Sequence, residues 1–382
     1  MRKNNTQKFF TLVLTGGGTA GHVWPHFALF EAKNSPLTKA SAENILEVHY
    51  LGSKTGLEKQ LVINSQPHWK YHSIETGKLR RYFSFKNFSD PLRIFLGFFQ
   101  AFFLLKKINA SLVFSKGGFV SVPVVWAAWL RKVPIVIHES DATLALATKL
   151  SLPFAMKVLV TFAQKKSKIF SLFQSKIVET GLPLRESLFT ATKEEGLKFF
   201  DLDENKKTIL IFGGSLGAQS LNKKIFELIP KIGEKYNIIH IVGKGNAHSL
   251  QQEWKNYKQH EFLTTHMCYA YAAADLAICR AGASSIFELA AARIPMILVP
   301  LGKHASRGDQ IINAQIFVQK HWAQCINEHD FHTADIEKFI EKTFENLPEK
   351  KQALQNAPGT LSATQIGKMI WAILKKNEAK KR

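Results

Sequence analysis

The sequence predicts an α/β fold made of two Rossmann-like domains, and three observations lead there. Short β-branched runs alternate with helical segments, the pattern of βαβ units wound around a parallel sheet. The alternation runs twice along the chain, with a charged break between the two series. Each series opens with an apolar strand that runs straight into a glycine turn, "LTGGGTAGH" from Leu14 and "IFGGSLGAQS" from Ile211. The 382 residues suffice for two buried cores of ordinary size.

In the first series the expected strands are Leu12 to Thr15, Val48 to Leu51, Leu112 to Ser115, Ile135 to His138 and Val158 to Thr161. In the second they are Thr208 to Phe212, Ile238 to Val242, Leu276 to Cys279 and Met296 to Pro300. Between the series lies Gly181-Leu-Pro-Leu-Arg185, and the charged stretch from Lys193 to Lys207 that follows has no strand pattern. The hinge is therefore expected near Arg185, with domains of 1–185 and 186–382 and the last helix a candidate to pack back on the first. Glycines at the end of a parallel strand let the backbone turn tightly and approach a ligand. The helix that follows offers free N–H groups and a positive dipole end to an anion.

The segment from Tyr82 to Lys107 is dense in phenylalanine between basic residues, including Arg80, Arg81, Arg93, Lys106 and Lys107. Its uninterrupted apolar part is shorter than the about 20 residues a spanning helix needs. Ser89 or Asp90 with Pro91 supplies a helix start. Two readings stay open: an interfacial segment on an anionic bilayer, or a core helix from Ile94 to Leu105, with one face serving each as a third arrangement.

Composition narrows the class. A hydrophobic content of 46% fits a globular chain. Three scattered cysteines, Cys268, Cys279 and Cys325, have neither metal-ligand spacing nor the density of a disulfide framework, which points to a reducing, cytoplasmic setting. The apolar run from Phe9 to Leu14 passes into the glycine turn rather than a cleavage site, so no signal peptide is expected. A net charge of +21 favours polyanionic partners. No zinc-finger spacing, RNP-type signature or basic-region heptads support nucleic acid as that partner.

The first turn contains a literal G-x-G-x-x-G from Gly16 to Gly21. A dinucleotide site also needs an acidic residue at the end of the second strand to hold the ribose. Here that strand ends Leu51-Gly-Ser-Lys54, without a carboxylate. The ordered set GGGTAGH, KGGFVSVP, His138-Glu139, GGSLGA, CRAGASSIFE and DQIINA instead resembles the MurG family of peptidoglycan glycosyltransferases over roughly residues 10 to 375. The resemblance implies a GT-B type fold, two Rossmann-like domains facing across a cleft. It implies inverting transfer of N-acetylglucosamine from its UDP sugar to the lipid-linked N-acetylmuramyl-pentapeptide, lipid I, with no metal or cofactor. No D-x-D pair at a strand end suggests a metal-held diphosphate.

Residue by residue, His22 follows the glycine turn, where a helix N-terminus disfavours imidazolium. It matches the family's candidate general base; the alternative is a histidine that binds acceptor pyrophosphate or packs the turn. His138 and Glu139 would flank the acceptor side, Glu139 either orienting a basic group or capping a helix. Acceptor binding is implied for Gly18, Thr19, Gly21, Gly117, Gly118 and Asp141. On the donor side, the N–H groups around Gly214 and the Ser215 hydroxyl would take the diphosphate and its growing negative charge. Glu288 matches the ribose-binding glutamate, although Ser285-Ile-Phe-Glu288 is also a literal capping box. Ala283 and Ser284 lie in the preceding turn. Gln310 and Asn313 match positions facing the donor sugar, where polar groups can read hydroxyl stereochemistry. Arg185 matches an arginine near the nucleotide, or is a hinge-surface residue, and Phe262 and Leu263 match uracil contacts.

Departures from the family pattern fall at Asp141, Leu182, Leu216 and Asp309, and Asp141 is expected to add repulsion near an anionic acceptor. The expected partners are UDP-N-acetylglucosamine, the lipid-linked acceptor and an anionic membrane, with the protein peripheral on the cytoplasmic face. A related diacylglycerol glycosyltransferase and a silent basic membrane-binding module are the alternatives.

Overall fold

The computed structural model describes residues 10–43, 45–77, 86–162, 171–214, 217–248, 252, 254–302, 308–331, 335–357 and 359–381. Arg80, Arg81, the stretch 82–85, Ser215 and Leu216 lie outside the described residues. The chain forms two compact units, one of 1–185 with 360–382 and one of 186–359.

The first unit holds seven parallel strands: β1 (Phe10–Thr15), β2 (Leu46–Ser53), β3 (Lys70–Ile74), β4 (Leu112–Ser115), β5 (Ile135–Glu139), β6 (Lys157–Val160) and β7 (Ile177–Glu179), in the order β3-β2-β1-β4-β5-β6-β7. β1 is central, Leu12 pairing with Val48 on one side and Leu112 on the other. Both faces of the sheet are covered, which is why its inner strands, such as β1 and β4, are buried along their whole length. Leu12 and Leu14 face a core with Phe27 and Tyr50, while Val13 faces the opposite core with Leu105, Val113 and Val124.

The helix Leu361–Lys381 belongs to this unit. Ile366, Ile370 and Leu374 enter the core beside Leu12 and Phe27, and Trp371 meets Phe10 edge-on at 5.0 Å. Asn377 donates to the Ser111 carbonyl at 3.0 Å.

The helix Lys86–Lys107 corrects one expectation: it begins before Ser89, and Pro91 lies inside it. A proline there removes a single backbone bond close to the helix start, where few intrahelical bonds are at stake. One face is buried through Ala101 and Leu105; the other exposes Leu92, Phe95, Leu96, Phe99 and Phe103.

The second unit holds β8 (Thr208–Phe212), β9 (Asn237–Ile241), β10 (Tyr257–His260), β11 (Leu276–Cys279), β12 (Met296–Leu298) and β13 (Ala323–Cys325), all parallel in the order β10-β9-β8-β11-β12-β13. In each sheet the order of the strands reverses beside its first strand, between β1 and β4 and between β8 and β11. Ligands of doubly wound sheets bind at such switch points.

Candidate active site

In the first unit the two glycine motifs meet at the switch point. The turn at 16–18 follows β1 and the turn at 116–118 follows β4. A Cβ on Gly118 would lie 2.2 Å from the Gly17 carbonyl oxygen, and Gly118 has φ +79°, so no other residue fits there without moving the first turn. Gly117 also has positive φ. Gly18 and Thr19 are exposed, Gly21 and His22 half-buried. The Thr19 hydroxyl lies 3.2 Å from His22 Nδ1, on the 3₁₀ turn Ala20–His22. The helix Trp24–Glu31 that follows has no side-chain cap; Pro25 has no N–H to offer and His26 N–H bonds to the Val23 carbonyl at 2.9 Å.

Sequence reasoning missed what lies beneath this turn. Glu58 is buried and accepts from Gly18 N–H at 3.4 Å and from Ser53 N–H at 3.0 Å. Its only sequence signal is a carboxylate in the first turn of the helix Leu57–Ser65, where it reads as a dipole partner. Tyr50 donates to the Gly16 carbonyl at 2.8 Å, and burial pushes its phenol far up.

Lys116 is also buried, with Nζ 2.7 Å from His138 Nδ1 and 2.6 Å from Ser140 Oγ. Burial brings its pKa down to about 7, against the pull of the Glu139 and Asp141 carboxylates. Burial, then the Lys116 charge, push His138 well below the ordinary histidine value, and its Nε2 lies 2.9 Å from the Gly181 carbonyl. Glu139, at the end of β5, accepts from the N–H groups of Ser140, Asp141 and Ala145 and, at 2.6 Å, from the Thr148 hydroxyl. It thereby organises the loop entering the helix Leu146–Ser151. Asp141 adds its charge to the surroundings of Lys116 and, with Glu139, favours the ammonium. Arg185 closes the unit, its guanidinium 4.0 Å over the Trp24 ring.

The second unit repeats the layout. Gly214 has φ +98° with nothing within 4 Å of a Cβ built on it, so conformation and not packing calls for glycine there. The helix Gln219–Ile232 that follows also lacks a side-chain cap. Across the switch point, Arg280 is buried and donates to the Val299 carbonyl at 3.0 Å, to Ser220 Oγ at 2.7 Å and to Glu328 at 2.5 Å. Burial pushes the Glu328 carboxyl up, but hydrogen bonds from Gly302 N–H, Arg280 and Ser220 outweigh it and hold the group below its ordinary value. Arg280 thus ties the start of the helix after β8 to the turn after β11, a role its motif did not disclose.

Ala283 is buried and Ser284 half-buried in the first turn of the helix Ala283–Ala291. The capping-box reading of Ser285 and Glu288 is corrected here, because Gly282 is the N-cap and the helix is already formed at Ser285. Glu288 instead accepts from Tyr271 Oη at 2.7 Å. Asn313 is buried and donates to the Ala281 carbonyl at 3.1 Å, steadying the same turn; Gln310 accepts from Leu301 N–H at 3.1 Å. Phe262 is exposed and Leu263 half-buried just beyond β10.

Residues 12–160 match the glycosyltransferase family 28 N-terminal domain and residues 208–368 its C-terminal domain. A Clostridium botulinum protein named UDP-N-acetylglucosamine--N-acetylmuramyl-(pentapeptide) pyrophosphoryl-undecaprenol N-acetylglucosamine transferase is 43% identical, over 96% of this chain and 99% of its own length. The chain belongs to the MurG family. A Clostridium tetani member with the same name is 46% identical over 84% of this chain and 86% of its own. The crystal structure of Acinetobacter baumannii MurG superposes with a TM-score of 0.69 at 24% identity, covering 95% of this chain and 99% of that one, and so shares the GT-B fold. As a MurG family member the chain is a glycosyltransferase, and each of the two family matches contains one of the paired glycine turns.

Proposed function

We propose that this chain transfers N-acetylglucosamine from UDP-N-acetylglucosamine to lipid I with inversion and without a metal, forming lipid II. The observation that carries the reading is the pairing of glycine turns at both switch points, each beside a helix N-terminus without a side-chain cap. Two such sites suit two diphosphates, one in the donor and one in the acceptor. The names of the relatives supply their identity.

In this reading the first unit binds the acceptor through Gly18, Thr19, Gly21, Gly117 and Gly118. His22 removes the proton of the acceptor hydroxyl as it attacks the anomeric carbon. The Thr19 hydroxyl, 3.2 Å from Nδ1, orients the ring for that step. In the second unit Gly214 and Ser215 stabilise the departing diphosphate, Glu288 holds the ribose, Gln310 and Asn313 bear on the sugar, and Phe262 and Leu263 on the uracil; Arg185, at the end of the first unit, bears on the nucleotide. Glu139 acts as a positioning residue, since its carboxylate is taken up by its own loop.

Among the described residues no helix is long and apolar enough to cross a membrane. Exposed Phe95, Phe99, Phe103, Trp129 and Leu130 with Arg93 and Arg131 support docking on an anionic bilayer at its cytoplasmic face, where a polyprenyl-linked acceptor would be met.

The test is transfer of labelled N-acetylglucosamine to a lipid I analogue in detergent. His22→Ala should lower turnover by about 10²- to 10⁴-fold with donor affinity retained. Glu288→Ala should weaken UDP binding with the acceptor KM unchanged. Donor binding by the wild type without any transfer to lipid I would refute the acceptor assignment.

A further inference from the structure

The buried lysine of the first unit has no role in the reaction as described so far. We propose that Lys116 is a positioning residue for the acceptor: its ammonium ties both glycine turns to the end of β5 at His138 and to the loop beyond at Ser140, and supplies a positive charge beneath the turn that takes the acceptor diphosphate. The inference rests on the acceptor reading above and names a residue that deepens it.

The stem and the head of Lys116 both bear on the site. A Cβ on Gly16 would lie 3.2 Å from Lys116 Cβ, and Lys116 N–H bonds to the Thr15 carbonyl at 2.9 Å, so the stem lies directly under the first turn. An ammonium can only donate, so His138 Nδ1 accepts from it and His138 Nε2–H donates to the Gly181 carbonyl. One cation therefore fixes a histidine tautomer, the Ser140 hydroxyl and, through His138, the chain end that leaves β7. Packing alone does not account for it, because a methionine would fill the same space without the cost of burying a charge.

The ionisable groups around it set how it responds. His22 and His26 lie on the first turn and its helix, Glu58 on the helix Leu57–Ser65 beneath the same turn, His138 and Glu139 on β5, and Asp141 on the loop beyond. Burial and the Lys116 charge keep His26 and His138 neutral, while Glu139 and Asp141 favour the ammonium. With the lysine poised near neutrality, an added diphosphate shifts the balance to the charged form. Acceptor binding therefore takes up a proton, and acceptor affinity falls as pH rises.

Transfer kinetics of the full chain in detergent, wild type beside Lys116→Met, test this. Near pH 6.5 the variant should raise the acceptor KM by about tenfold, the worth of one charge-assisted hydrogen bond, with the UDP-N-acetylglucosamine KM unchanged. The difference should shrink to less than about twofold near pH 9, where the wild-type lysine is also neutral. A ratio that is the same at every pH, or a changed donor KM, overturns the assignment. Ser140→Ala keeps the buried charge and should move the alkaline limb to lower pH; an unmoved limb also counts against it. Calorimetry with inorganic pyrophosphate on the UDP-saturated chain, in buffers of different ionisation enthalpy near pH 8, reads the proton without lipid transfer. Uptake in the wild type and none in Lys116→Met supports the role of Lys116 even if lipid I proves not to be the acceptor. Absence of Lys116-dependent uptake overturns it.

Discussion

Replacing Lys116 by methionine also has a consequence for stability that can be worked out. The lysine titrates near 7 in the folded chain against an ordinary 10.5. Above about pH 7 the unfolded chain holds a proton that the folded lysine has released, so raising pH favours the folded state until the unfolded lysine itself titrates. Between about pH 7 and pH 9.5 this linkage amounts to about 3 kcal/mol gained by the wild type. Lys116→Met removes that gain. The variant also leaves His138 Nδ1 and Ser140 Oγ without their donor, a penalty of about 1–3 kcal/mol each that does not follow the lysine's titration. The absolute stability therefore decides little, and the slope decides everything. Urea unfolding of both proteins across that window should give curves that diverge by about 3 kcal/mol in favour of the wild type at the alkaline end. Parallel curves would refute the buried, depressed lysine, and with it the electrostatic part of the acceptor assignment.

Three further outcomes are expected. Glu58→Ala strands the Gly18 and Ser53 N–H groups and should cost about 1–3 kcal/mol in urea unfolding, with a raised acceptor KM; an unchanged KM would separate Glu58 from the site. Ile370→Ala empties a fully buried position shared by the C-terminal helix and β1, and calorimetry should register a loss of about 2–5 kcal/mol, which an autonomous second unit of 186–382 would not predict for the first unit. The double change Phe95→Ser and Phe103→Ser, at side chains 57% and 63% exposed, should abolish sedimentation with anionic vesicles while shifting stability by less than about 0.5 kcal/mol; vesicle binding that persists would move the membrane contact elsewhere.

The sequence by itself determined the central strands, the two glycine turns and the family. These are legible because a parallel strand buried on both faces is a continuous apolar run, and a turn that must approach a ligand is written in glycine. The strands it did not disclose are β3, β7, β10 and β13, and all four are sheet edges. Edge strands such as Lys70–Ile74 and Tyr257–His260 are half-exposed and polar, so they have no pattern separating them from a loop. The capping box at Ser285 failed for a related reason: the motif is local, and the turn Arg280–Gly282 started the helix earlier, held by Asn313 from another helix and by Arg280 to Glu328.

Only the tertiary structure decided which polar residues carry charge into the interior. Lys116 and Glu58 read as surface groups in a chain with a net charge of +21, because nothing in their neighbours along the sequence marks them as buried. Their surroundings come from β5, the first glycine turn and the strand end at Ser53, segments far apart in the chain that the parallel sheet brings together at the carboxyl ends of its inner strands. A residue's pKa and its hydrogen-bond partners belong to that assembled environment, and so they cannot be read one position at a time.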